Sequence, residues 1–183
     1  MRTTAITIAF AALIAGSSCR PAAAPVAVSN RPVSVNDRPM TKAFIEMSWT
    51  DENGRIQSVS DLGGKAVILD FWATNCPPCV KEIPKLMALR QKYGADNVQL
   101  IGLHVGDDED RAKIAQFSKL YQLDYPIAFP ESDLSRFVFS DGDEIPRTIV
   151  LDRKGRILAR TVGFSDEVER RLDAAVAEAV STN

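Results

Sequence analysis

Histidine and cysteine are scarce in this chain, with one His and three Cys among 183 residues. His104, Cys76 and Cys79 offer at most three zinc ligands with none of the paired spacing of zinc modules, so no metal site is expected. Charge of one sign is also lacking: 22 basic and 24 acidic residues are scattered along the chain for a net charge of -2. That balance leaves no basic footprint for nucleic acid. The apolar run at the start, Ala5 to Ala15, is shorter than the roughly 20 residues a transmembrane helix needs. No internal repeat is visible. What remains, 45% hydrophobic and 25% charged residues, is the composition of one globular domain with a sizeable core.

The first residues do not belong to that core. Met1-Arg2, the Ala-rich apolar run and Gly16-Ser17-Ser18-Cys19 have the order of a secretory signal, expected to span residues 1–19. Small residues directly before Cys19 resemble a bacterial lipobox, with Gly16 where many lipoboxes carry Leu. Cys19 is therefore the expected lipidation site, and cleavage after Ala24 is disfavoured by Pro25. Residues 20–39, rich in Pro, Ala and Val, suit an extended tether. The folded domain is expected over 40–183. Export into an oxidising compartment favours disulfide chemistry for the two remaining cysteines.

Within the domain, Ala43 to Trp49 and Arg55 to Val59 flank Asp51-Glu52-Asn53-Gly54, which predicts an early β-hairpin. The unbroken run Ala66 to Trp72 predicts a strand buried on both faces. A helix follows from Pro77 to Tyr93, with Val80, Ile83, Leu86, Met87 and Leu89 mostly on one face, a kink expected at Pro84, and Gly94 after its end. Then come a strand from Val98 to Val105, a helix from about Asp108 to Tyr121 and a short strand near Pro126 to Phe129. Arg147 to Asp152 and Arg156 to Thr161 read as antiparallel strands. Ser165 caps a last helix with the stripe Val168, Leu172, Val176 and Val180. The predicted fold is α/β, a mixed central sheet with helices on both faces and an N-terminal hairpin extension.

The chemistry-bearing motif is Cys76-Pro77-Pro78-Cys79, opening a helix directly after a buried strand. Dithiol exchange needs a thiolate, and a helix N-terminus supplies partial positive charge and unpaired N–H groups to it. A free thiol of pKa ~8.5 is only a few per cent ionised at neutrality, whereas one near ~7 is about half ionised. Cys76 is the expected nucleophile. Cys79, one turn on and less exposed, is the expected resolving thiol. The redox-active pair itself requires no further cofactor.

The stretch Phe71-Trp72-Ala73-Thr74-Asn75-Cys76-Pro77-Pro78-Cys79 closely resembles the Phe-Trp-Ala-Thr-Trp-Cys-x-Pro-Cys pattern of the TlpA/ResA-like exported branch of the thioredoxin superfamily, related to the AhpC/TSA redoxins. Glu82, Pro84 and Pro146 also fall at positions of that pattern. The resemblance covers Met40 to the C-terminus and implies a thioredoxin-like fold and a thiol-disulfide oxidoreductase. It implies an acid serving the second thiol, for which Asp70, flanked by apolar residues, and Glu82 are the candidates. It further implies a cis bond at Pro146, with the Ile145 backbone pairing with an extended client and the proline keeping metals from the thiols. Trp72, Asn75, Pro77 and Pro78 complete the expected client-binding set, with polar Asn75 replacing the branch's Trp.

The resemblance implies exported protein clients that carry disulfides, a membrane or periplasmic electron donor, and a reducing role such as cytochrome c maturation. The expected place is the bacterial cell envelope, on the periplasmic side and anchored by lipid, with the protein a monomer. A peroxiredoxin-type peroxidase lacks its Pro- and Thr-containing loop here. A Sco-type copper protein would want Cys-x-x-x-Cys. His104 reads as the end of a buried strand, and the acidic run Asp107 to Asp110 as the solvated start of a helix.

Overall fold

The computed structural model describes residues 42–182. The expected signal at 1–19 with Cys19 and the tether at 20–39 lie outside the described residues. Seven strands form one mixed sheet in the order β2-β1-β5-β4-β3-β6-β7. They are β1 (Ser48–Asp51), β2 (Ile56–Ser58), β3 (Ala66–Trp72), β4 (Val98–His104), β5 (Ile127–Pro130), β6 (Arg147–Leu151) and β7 (Ile157–Val162). Strand β3 lies at the centre, parallel to β4 and antiparallel to β6. All seven of its residues are buried, as a continuous apolar run predicts.

Side chains alternate across that strand and divide the core. Ala66, Ile68 and Trp72 join one cluster with Ile83, Leu86 and Leu89 of α2 (Pro77–Tyr93), Ile114 and Phe117 of α4 (Ile114–Tyr121), and Leu172 and Val176 of α6 (Asp166–Ser181). Val67, Leu69 and Phe71 face the other way. They pack with Phe44 of the short helix α1 (Lys42–Ile45) and with Leu134 and Val138 of α5 (Ser132–Val138). Helices thus cover both faces, as predicted. Ser165 caps α6, its hydroxyl accepting from the Val168 N–H at 3.3 Å. Helix α2 runs through exposed Pro84 without interruption.

The hairpin at the start is shorter than predicted. Residues 42–45 form a helical turn instead of a strand, because Phe44 is drawn into the core against Phe137 at 4.9 Å between ring centres. The turn itself is built as expected. Asp51 accepts from the N–H groups of Asn53 and Arg55 and from Arg55 Nε, at 2.8–2.9 Å, with Gly54 at φ 78°. The β6–β7 turn repeats the device, with Asp152 accepting from Lys154 N, Arg156 N and Arg156 Nε.

Two further differences bear on the site. The predicted helix over 108–121 is broken into α3 (Asp108–Arg111) and α4, where Lys113 N–H reaches the Asp110 carbonyl at 2.9 Å in a tightened turn. Helix α5, between β5 and β6, was not predicted; its seven residues carry Leu134, Phe137 and Val138 at helical spacing, but less than two full turns is too short a pattern to announce a helix.

Candidate active site

Strand β3 ends at Trp72, and three residues later the chain turns into α2, so Cys76 stands at the point where a buried strand hands over to a helix. Cys76 is the N-cap of α2, and Pro77 and Pro78 occupy the first two helical positions. Proline is suited there, since those N–H groups have no partner within the helix. The Cys76 sulfur accepts from the Cys79 N–H at 3.2 Å. A sulfur so placed is stabilised in its anionic form by that bond and by the helix dipole.

Cys76 and Cys79 are joined in a disulfide. Cys76 is 6% exposed and Cys79 1%, which puts the N-terminal sulfur on the accessible side. Facing it, Cys76 Sγ lies 3.7 Å from the Ile145 carbonyl oxygen, and the Ile145–Pro146 peptide is cis. Asn75 and Pro77 are exposed and Pro78 half-buried, forming a rim around the sulfur. Trp72 is fully buried and Pro146 is buried as well, so of the expected client-binding residues these two are withdrawn from the surface. The Trp72 indole packs instead on Phe117, 4.9 Å between ring centres, and edge-on to His104 at 5.4 Å.

Asp70 and Glu82 meet beneath the helix. Glu82 is one turn beyond Cys79 on the buried face of α2. Asp70 is opposite Thr148 on β6 and opposite Gly102 on β4. The Thr148 hydroxyl donates to Glu82 Oε1 at 3.1 Å, tying helix to sheet at Asp70's flank. Each acid is 1% exposed, and both oxygens of Asp70 and Oε2 of Glu82 have no hydrogen-bond partner. Burial pushes the Glu82 carboxyl up to about 7, against the lowering pull of the Thr148 bond. Burial, then the nearby Glu82 charge, pushes Asp70 well above the ordinary carboxylate range. A pair so close and so dry does not release both protons near neutrality. It has the character of a proton store.

Gly102 makes room beside this pair. A Cβ there would lie 2.8 Å from Trp72 Nε1 and 2.9 Å from Tyr125 Cε2, so both rings fold over the bare backbone next to Asp70. The Tyr125 hydroxyl and Trp72 Nε1 are buried donors without a partner. Burial, then the charge of Asp70, raises the Tyr125 phenol so far that it stays protonated.

At the turn before Cys76 a third acid is placed quite differently from expectation. Asp110, read from the sequence as part of a solvated acidic run, is 2% exposed. It accepts from the Thr74 N–H at 2.8 Å, from the Thr74 hydroxyl, and pairs with His104 Nε2 at 2.7 Å. Burial works to raise its pKa, but the two Thr74 bonds and the His104 contact outweigh it and hold the carboxyl below its ordinary value. His104 does end a buried strand, as predicted. Thr74, Asp110, Thr148 and Tyr125 escaped the sequence reading. A threonine two residues before Cys76 and another two residues beyond Pro146 were the available signals.

Among the described residues no cluster of three or more His, Cys, Asp or Glu is arranged to hold a metal, and no helix is long and apolar enough to cross a membrane.

Against known proteins, residues 40–160 match the profile of the AhpC/TSA family. The chain is a member of the AhpC/TSA family. Within it, the TlpA/ResA-like, thioredoxin-superfamily character is borne out by the relatives. A thiol-disulfide oxidoreductase ResA of Bacillus cereus is 33% identical over 114 residues, 62% of this chain and 64% of that protein. The ResA of Bacillus subtilis is 29% identical over 117 residues, 64% of each. The chain thus matches somewhat under two thirds of these relatives' length. Among solved structures, a putative thiol:disulfide interchange protein DsbE from Chlorobium tepidum superposes with a TM-score of 0.63 at 23% identity, covering 75% of this chain and 95% of that one. A putative protein disulfide isomerase from Bacteroides thetaiotaomicron gives 0.61 at 27%, covering 76% and 91%. These likenesses establish the thioredoxin-like fold of this AhpC/TSA member.

Proposed function

We propose that this AhpC/TSA member is a thiol-disulfide oxidoreductase whose nucleophile is Cys76. The observation that carries the reading is the Cys76 sulfur capping α2, bonded by the Cys79 N–H at 3.2 Å and faced by the Ile145 carbonyl at 3.7 Å. The names of the ResA relatives support it.

In the reducing direction the Cys76 thiolate attacks one sulfur of a client disulfide. A Cys76–client bond forms, and the other client sulfur leaves as a thiolate and takes up a proton. Cys79 then loses its proton to the Asp70–Glu82 store and attacks the Cys76 sulfur, breaking its bond to the client and closing the Cys76–Cys79 disulfide, while the second client sulfur leaves as a thiolate and takes up a proton. The client gains two electrons and the protein loses two. The Ile145 backbone, beside Cys76 and ahead of the cis bond, pairs with an extended client strand while Asn75, Pro77 and Pro78 form the contact rim. An electron donor at the membrane or in the periplasm restores the dithiol.

Export and a lipid anchor at Cys19 place this chemistry on the periplasmic side of the cell envelope, acting as a monomer on exported proteins, with cytochrome c maturation as a fitting task. The test is substitution. Cys76→Ser is expected to abolish reduction of a disulfide substrate, and Cys79→Ala to accumulate mixed disulfides, seen by mass spectrometry. Turnover retained by the Cys76 variant would sink the proposal. Fractionation of the protein with Cys19→Ala against the natural chain checks the anchor: equal solubility refutes it.

A further inference from the structure

The turn that carries the nucleophile is held from one side by a single buried carboxylate. Between Trp72, whose carbonyl accepts from the Val105 N–H at 2.9 Å, and Cys76 lie only Ala73, Thr74 and Asn75. Within the turn the backbone makes one long bond, Cys76 N to Ala73 O at 3.4 Å. Its remaining tie to the fold among the described bonds is at Thr74, and both polar groups of Thr74 that can donate, the N–H and the hydroxyl, end on Asp110.

Asp110 is in turn fixed on every side. Its own N–H is bound by the Asp107 side chain at 2.8 Å, and His104 Nε2 meets Oδ2 at 2.7 Å. Gly106 is bare where it passes: a Cβ there would run into Asp110 Oδ2. A carboxylate buried in this way is costly unless every lone pair finds a donor, and here the donors come from the turn before Cys76 and the end of β4. An acid whose only task was to start a four-residue helix would stand in solvent.

From this geometry we infer that Asp110, acting through Thr74, is a positioning residue of the thiol chemistry: it holds the Thr74–Cys76 turn so that the Cys76 sulfur stays against the Cys79 N–H and the Ile145 carbonyl. The inference rests on the oxidoreductase reading above. Charge-assisted hydrogen bonds are the strong ones, and a sulfur that drifts from the helix end loses thiolate character and aim together.

Thr74 separates positioning from packing. Thr74→Val keeps the shape and the backbone bond but removes the hydroxyl donor; Thr74→Ser keeps the donor and loses the methyl. The reduced full-length proteins are compared by iodoacetamide alkylation of Cys76 and by kcat and KM for a model peptide disulfide. Thr74→Val is expected to slow both alkylation at pH 7 and kcat by about tenfold, with KM near that of the natural protein and the fold retained at a somewhat lower thermal midpoint. Thr74→Ser is expected to recover the natural rates. Asp110→Asn, which removes the charge at constant size, is expected to fall at least as far as Thr74→Val. Natural rates in Thr74→Val, or equal losses in the Val and Ser variants, overturn the inference. A natural protein that is alkylated but reduces no disulfide refutes the oxidoreductase reading, and the alkylation rates still decide the positioning.

Discussion

Asp110, tied to the turn before Cys76, and the Asp70–Glu82 pair, beneath α2, are carboxylates with almost no solvent exposure, and their surroundings give them opposite chemistry. Asp110 is met by two donors of Thr74 and by His104. Asp70 is met by none, and Glu82 by one hydroxyl. The first is held ionised and the second pair holds a proton. Low exposure alone therefore does not decide what an acid does in a protein; how deeply it is desolvated and how many donors reach it do. A fully bonded carboxylate is a fastener, and an orphaned one is a reagent.

The largest effect expected from this contrast is on turnover. Asp70→Asn combined with Glu82→Gln removes the acceptor proposed for the Cys79 proton and is expected to lower kcat by about 10²–10³-fold, in the range general base catalysis supplies. Single-turnover reduction of a peptide disulfide checks it. An unchanged kcat would leave the pair with no chemical task.

Next is stability against pH. Glu82 titrates at about 7 in the folded chain against 4.5 ordinarily, so the native state keeps a proton the unfolded chain gives up. Its contribution is greatest below about 4.5 and is lost as pH rises to about 7. Glu82→Gln is expected to stabilise the protein at pH 8 relative to pH 4 by up to roughly 3 kcal/mol more than the natural chain, read by urea unfolding at both values.

Asp110 should show the reverse sign and a smaller effect. Its carboxyl is held low, so its stabilisation is present above the ordinary aspartate range and fades as pH falls. Asp110→Ala is expected to cost about 2 kcal/mol at pH 7, by leaving Thr74 and His104 donors unpaired, and progressively less below ~4. A cost that grows on acidification would erase the contrast between the two sites.

Half of this contrast was legible in the sequence. The apolar flanks of Asp70 announced a buried acid, and the Cys76–Cys79 spacing placed Glu82 one turn further along the same helix. The cis bond at Pro146 followed from the resemblance. Asp110 was not legible, because in the run Asp107 to Asp110 all the acids look alike. Only the fold distinguishes the one whose partner, Thr74, lies 36 residues away. Thr148 was hidden for the same reason, its bond to Glu82 spanning 66 residues. Local pattern reports which face of an element is apolar; it does not report which polar residue a distant donor will claim.

Gly102 has a bearing on how this protein can change over generations. A Cβ added there would meet two aromatic rings at 2.8 and 2.9 Å, so its place depends on volume, and glycine is the smallest residue the genetic code provides. Every missense change there adds atoms to a space already filled, so drift at that position runs in one direction only. A lineage that alters it must first, or at once, shrink Trp72 or Tyr125. The open strand position beside Asp70 is therefore open to compensated pairs of mutations and closed to single ones.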